Sequence, residues 1–180
     1  MKRNLFVLVI ALQSGWVLYT VAVQEHALSA GKLITLETER VDPRDLLRGD
    51  HLILNYKISN VPTNLFSPPV GRDLPGGRNV YVALEPRGDF FAIAKASTNQ
   101  FEPPGNQVLL KARSSWSGWG GTNAIHVEYG LERYYVREGS GNPRGKLTVE
   151  AVVPASGRAS IKRVLVDGKP YAEAMKENSR

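Results

Sequence analysis

LFVLVIALQSGWVLYTVAV, the run from Leu5 to Val23, holds 19 residues without a charge. At about 1.5 Å of rise per residue, a helix of this length nearly matches a hydrocarbon core about 30 Å thick. Lys2 and Arg3 precede the run, and Gln24, Glu25 and His26 follow it. The excess of basic residues on the N-terminal side keeps that end in the cytoplasm. The expected organisation is a cytoplasmic stretch 1–4, a transmembrane anchor 5–23 and an extracytoplasmic domain 24–180, with the chain in the inner (cytoplasmic) membrane. A removable signal peptide usually has a shorter apolar centre ending in small-x-small residues. Thr20-Val21-Ala22 fits that pattern poorly, which favours an uncleaved anchor over a cleaved signal. A buried core helix is the third reading, and basic residues before an uncharged N-terminal run speak against it.

Beyond Val23 the apolar residues alternate with a period of two, the signature of half-buried strands. Such segments are KLITLETE (32–39), HLILNYKI (51–58), NVYVALE (79–85), DFFAIAKAS (89–97), QVLLKAR (107–113), AIHVEYG (124–130), RYYV (133–136), KLTVEAVV (146–153) and ASIKRVLVDG (159–168). In the second, Leu52, Leu54, Tyr56 and Ile58 share one face. The third and fourth are separated by Pro86-Arg87-Gly88 and read as a hairpin. Between strands lie turn compositions such as PPVGRDLPGG, FEPPGNQ, SGWGG, EGSGNPRG and PASG, in which glycine supplies positive φ and proline presets the turn. The tail YAEAMKENSR has room for a turn or two of helix. About nine strands at this spacing predict an all-β domain, a single sandwich or partly closed barrel, after one N-terminal transmembrane helix.

Composition narrows the function classes. The chain has no cysteine, which removes disulfides, thiolate metal sites and a cysteine nucleophile. A net charge of +6, two units of it from Lys2 and Arg3, is dispersed and forms no block of like charges. With no recognition motif beside it, no nucleic-acid partner is expected.

VDPRDLLRGDHLILNY (41–56) passes from proline, charge and glycine into strict alternation. Gly49 and Asp50 suit a turn that launches a strand, so the Arg48-Gly49-Asp50 triplet reads as structural and not as an adhesion signal. GDHLILNY resembles the motif of the GDYXXLXY family of membrane-anchored bacterial proteins. Gly49, Asp50, Leu54 and Tyr56 match it, and His51 stands where the family has tyrosine. VDPRDLLRGD, VYVALEP, EYGLERYYVREGSG and VLVDGKPYAE are similar to further family blocks in the same order, covering most of Leu33 to Glu173. The resemblance implies a short membrane anchor and one extracytoplasmic β-rich domain. Relatives are often encoded beside multi-span membrane proteins, so the implied partner is a multi-span inner-membrane protein. The family brings no catalytic residues with it.

The remaining chemistry is sparse. His26, His51 and His126 are the imidazoles, and their spacing fits no metal-ligand motif, so no metal and no cofactor are expected. Around GLERYYVREGSG (130–141), Glu132, Arg133, Arg137 and Glu138 offer charges, with Tyr134 and Tyr135 as walls for a bound group. Trp116 and Trp119 in SSWSGWGG are candidates for contact with a membrane surface or a partner. Ser29 and Lys32 form the one close serine–lysine pair of the N-terminal part, the minimum for a signal-peptidase-like hydrolase. The leading expectation is a non-enzymatic envelope protein whose tethered domain binds or supports a membrane partner. The alternatives are that hydrolase and a small-molecule or lipid sensor with an apolar cavity between its sheets.

Overall fold

The chain opens as a 28-residue helix, α1 (Lys2–Ser29). The computed structural model describes residues 2–39, 51–71, 74–115, 123–136, 143 and 145–178. Within α1, Phe6–His26 is long and apolar enough to cross a membrane, and none of that window is buried by the rest of the protein. Leu12, Trp16 and Leu18 are all more than 60% exposed, so α1 is not the core helix of a water-soluble fold. Ala30 and Gly31 alone separate α1 from β1 (Lys32–Glu37).

The other strands are β2 (His51–Ile53), β3 (Asn60–Pro62), β4 (Asn79–Arg87), β5 (Phe90–Ser97), β6 (Val108–Ser114), β7 (Ala124–Glu128), β8 (Arg133–Tyr135), β9 (Leu147–Val153), β10 (Ser160–Val166) and β11 (Lys169–Pro170), followed by α2 (Tyr171–Asn178). They form three sheets, ordered β1-β9-β10-β11, β2-β8 and β3-β7-β6-β4-β5. Every pairing between strands within these sheets is antiparallel. The result is a mostly-β fold, consistent with the sandwich of the two forms that the turn spacing allows, and among the described residues no sheet closes into a barrel.

Alternation does the folding work. In β9, Leu147, Val149, Ala151 and Val153 are buried while Thr148, Glu150 and Val152 are half-covered. In β6, Val108, Leu110, Ala112 and Ser114 take the inner positions. These meet Ile34 and Leu36 of β1, Val80, Val82 and Leu84 of β4, and Val127 of β7 in one core. Two links join the larger sheets at their margins. β1 lies beside β5, and the turn after β9 docks on the open edge of β6, where Lys111 N–H donates to Gly157 O at 2.8 Å.

All nine expected strands are present, with β3 and β11 in addition. Three details depart from simple alternation. HLILNYKI is not one continuous strand. Residues 51–53 pair with β8, then Asn55 O accepts from Glu39 N–H at 2.7 Å and Tyr56 bridges Thr38. A 3-10 turn, Lys57–Ser59, follows and still buries Ile58. The β4–β5 hairpin forms as expected around Gly88-Asp89, with Gly88 at φ +62°, but a bulge opposite Ala83 and Leu84 interrupts its register. Finally, Asp167 (φ +49°) and Gly168 (φ +82°) turn the chain from β10 into β11, so the ninth segment ends in a hairpin. Asp-Gly is the residue pair that a turn with two positive φ angles selects.

Candidate functional site

The motif strand and the aromatic cluster come together. β2 pairs with β8 through His51–Tyr135, Leu52–Tyr134 and Ile53–Arg133. The ladder continues where Leu54 N–H donates to Glu132 O at 2.8 Å. Beyond it, two tyrosines cross between the segments in opposite directions. Tyr56 OH donates to Leu131 O, and Tyr129 OH donates to Ile58 O, each at 2.7 Å. Glu132 Oε1 accepts from Tyr129 N–H at 2.6 Å, closing the turn that carries Leu131. Burial, seconded by the Glu132 carboxylate, pushes both phenols well above their ordinary value of 10. They therefore remain neutral hydrogen-bond donors at physiological pH.

This arrangement assigns Leu54 and Tyr56 to the interior, where they are 1% and 0% exposed. They hold the two segments together and touch no solvent-facing chemistry. Gly49, Asp50 and the Arg-Gly-Asp triplet lie outside the described residues, as do Trp116, Trp119, Arg137 and Glu138.

On β8 the strand period separates the expected contact residues. Tyr134 turns inward and meets Tyr171 of α2 edge-on, with ring centroids 6.2 Å apart. Tyr135 is 73% exposed and lies 5.9 Å from the His51 ring. The two tyrosines thus face opposite sides of the strand and do not wall a single site. Arg133 is exposed on the same side as Tyr135. His26 sits on α1, the His51 ring lies tilted beside that of Tyr135, and His126 Nδ1 bonds Asn60 Oδ1 at 2.9 Å. Among the described residues no cluster of three metal-ligating side chains occurs.

Ser29 Oγ donates to His26 O at 2.9 Å, and Lys32 Nζ donates to Asn106 O. Both residues are exposed. A lysine base needs a desolvated amine, and this position supplies none. The buried hydroxyls are likewise engaged. Thr38 Oγ1 donates to Leu147 O, and Ser114 Oγ donates to Pro75 O while accepting from Arg78 N–H.

The family comparison bears directly on the clasped segments. A model of the GDYXXLXY protein family matches residues 13–164. The chain belongs to the GDYXXLXY family. No curated protein and no solved structure gives a significant match. For this GDYXXLXY protein, the leucine and second tyrosine of the name are therefore joint-forming core residues.

Two surface grooves of this GDYXXLXY protein were not expected from the sequence. One, of about 510 Å³, runs between the outer face of β6, the 129–132 segment and the turn after β9. Lys111, Arg113, Glu128, Glu132 and Arg158 bring charge to it. The other, of about 380 Å³, has Phe90, Phe91 and Ile93 along β5 with Lys57, Glu37 and Arg87 at its margin. Alternation marks Lys111 and Arg113 as outward-facing, but nothing in their spacing brings Arg158, 45 positions later than Arg113, beside them. A wider hollow along α1 is lined by that helix alone and is the flank of a lone helix.

Proposed function

We propose that this protein is a single-pass inner-membrane protein with its N-terminus in the cytoplasm and its β domain outside. In this reading the domain is not an enzyme, and it binds or supports a multi-span membrane partner. The observation that carries the proposal is the junction between α1 and β1. Two residues span at most about 7 Å, so β1 starts at the membrane boundary if α1 crosses the bilayer. The link is stiff as well as short. Ala30 N–H and Gly31 N–H continue the helical bonding to His26 O and Leu28 O, and Gly31 packs against Val152 and the Val153 carbonyl.

A domain held this close meets neighbouring membrane proteins at a high effective concentration, so a small contact surface suffices. Arg133 and Tyr135 are exposed on one side of β8, and the apolar surface of α1 is uncovered from Phe6 to Val23. Both are available to a partner in the same membrane. The non-enzymatic reading is supported by the engagement of Ser29 and Lys32 with backbone carbonyls and by the structural use of the buried hydroxyls.

The test is site-specific photo-crosslinking from position 135 in native membranes, followed by identification of the adduct. The expected product joins this chain to a multi-span membrane protein, and Arg133→Ala lowers its yield without changing thermal stability. Recovery of the uncrosslinked chain alone contradicts the proposal.

A further inference from the structure

The charged groove has a position and a charge pattern that the proposed support role does not use. Lys111 and Arg113 project from the same face of β6, about 7 Å apart by strand geometry. The bond from Lys111 N–H to Gly157 O fixes the next residue, Arg158, alongside them. Among the described residues neither Arg113 nor Arg158 makes an ion pair, and the Lys111 ammonium lies 5.9 Å from the Tyr81 ring centroid. Two carboxylates share the groove. Glu128 stands opposite Arg113 in the β6–β7 ladder and accepts from Ser115 Oγ at 3.1 Å, while Glu132 holds Tyr129 N–H.

The groove also begins close to the exit of α1. Lys32, the first residue of β1, pairs with Val153, the last of β9, and Arg158 lies in the turn that follows Val153. Guanidinium groups match phosphate oxygens in paired hydrogen bonds, and unpaired arginines in a concave surface are suited to that contact. The neighbouring carboxylates disfavour a bare anion and favour a ligand that sets an amine beside its phosphate.

We propose that this groove binds a phosphate ester carrying an amine, supplied by the headgroup of a phosphatidylethanolamine-type lipid in the adjacent leaflet. Arg113 and Arg158 hold the phosphate, Lys111 flanks it, and Glu128 faces the ammonium. Headgroup binding seats the turn after β9 on the membrane and fixes the tilt of the domain about its short link.

Native mass spectrometry of the full chain released from maltoside micelles provides the test, with phosphatidylethanolamine, phosphatidylglycerol and free phosphoethanolamine added at equal concentration. The expected result is one retained phosphatidylethanolamine, preferred over phosphatidylglycerol, with at least fivefold lower occupancy in R113Q/R158Q. Lys162→Gln, a cation outside the groove, leaves occupancy unchanged. Arg113 and Arg158 are exposed, so the melting temperature of the double variant stays at the wild-type value; Arg158→Gln alone serves if it does not. Equal occupancy by free phosphoethanolamine, still lost in R113Q/R158Q, assigns the same chemistry to a soluble source. Absence of any adduct, no preference for the amine, or equal retention by R113Q/R158Q and wild type overturns the proposal.

Discussion

Tyr56 and Tyr129 each spend a phenolic hydroxyl on a backbone carbonyl of the other's segment, inside the core. Removing one hydroxyl leaves a buried carbonyl unpaired, which costs about 1–3 kcal/mol. Tyr56→Phe is expected to lower unfolding free energy by that amount in denaturant titration, and Tyr129→Phe by a similar amount. Because the two bonds fasten the same pair of segments, the double variant should lose less than the sum of the single losses. Glu37 supplies a contrasting case at the surface. Lys57 Nζ and Lys146 Nζ reach its two carboxylate oxygens at 2.8 and 2.6 Å. Hydrogen bonds from Lys146 first and Lys57 second hold the Glu37 carboxyl below its ordinary 4.5. A lowered folded-state value means that the stabilisation is complete above the ordinary value and fades as pH falls through the lowered one. Both lysines are about half exposed, so the pair of bridges contributes only about 1 kcal/mol at neutral pH. Glu37→Gln should therefore reduce the melting temperature slightly near pH 7 and lessen its decline on acidification, with a smaller difference at high salt.

At the scale of elements, the turn after β9 is one of the two fasteners between the larger sheets. Gly157 has φ +75°, and a Cβ there would lie 3.1 Å from Leu109 O and 3.3 Å from Lys111 N. Gly157→Ala thus combines backbone strain with displacement of the turn from β6, a loss of about 1–3 kcal/mol. Gly105 has φ +61° and open space around it, so Gly105→Ala should cost about 1 kcal/mol at most. Hydrogen exchange separates the two, since only Gly157→Ala removes protection from the Lys111 amide. These elements also show how far a sequence can be read. Alternation in KLTVEAVV and QVLLKAR reports directly which side chains meet the core, because the strand period fixes it. The same rule locates Leu52, Leu54 and Tyr56 inside, but it is blind to the change of partner within that stretch, from β8 to Thr38 and Glu39 just after β1. Pairing depends on residues far away in the chain, and period-two alternation carries no label for the neighbour. The Asp167-Gly168 turn falls inside the segment 159–168 that alternation reads as one strand, although that dipeptide selects the two positive φ angles that join β10 to β11. The charged groove was not legible, because Lys111, Glu128 and Arg158 meet only after three separate segments have docked.

At the scale of the molecule, a 21-residue apolar window without protein cover is joined through two residues to a β sandwich. The apolar run and the β class were both readable before any geometry, since each rests on local composition and period. The clasp between residues 51–58 and 129–135 was not, although both segments resemble family blocks. A charge at the centre of the span tests the anchoring directly: Leu12→Arg costs insertion about 2.5–3.5 kcal/mol and should shift part of the protein out of the membrane fraction. The sidedness of the domain can be read with a single thiol, because the chain contains no cysteine. Ala172→Cys, exposed on α2, is treated with a membrane-impermeant maleimide in right-side-out vesicles. An anchored outer domain predicts full labelling without permeabilisation, with the labelled chain retained in the membrane pellet. Labelling only after permeabilisation, or a labelled chain in the soluble fraction, contradicts it.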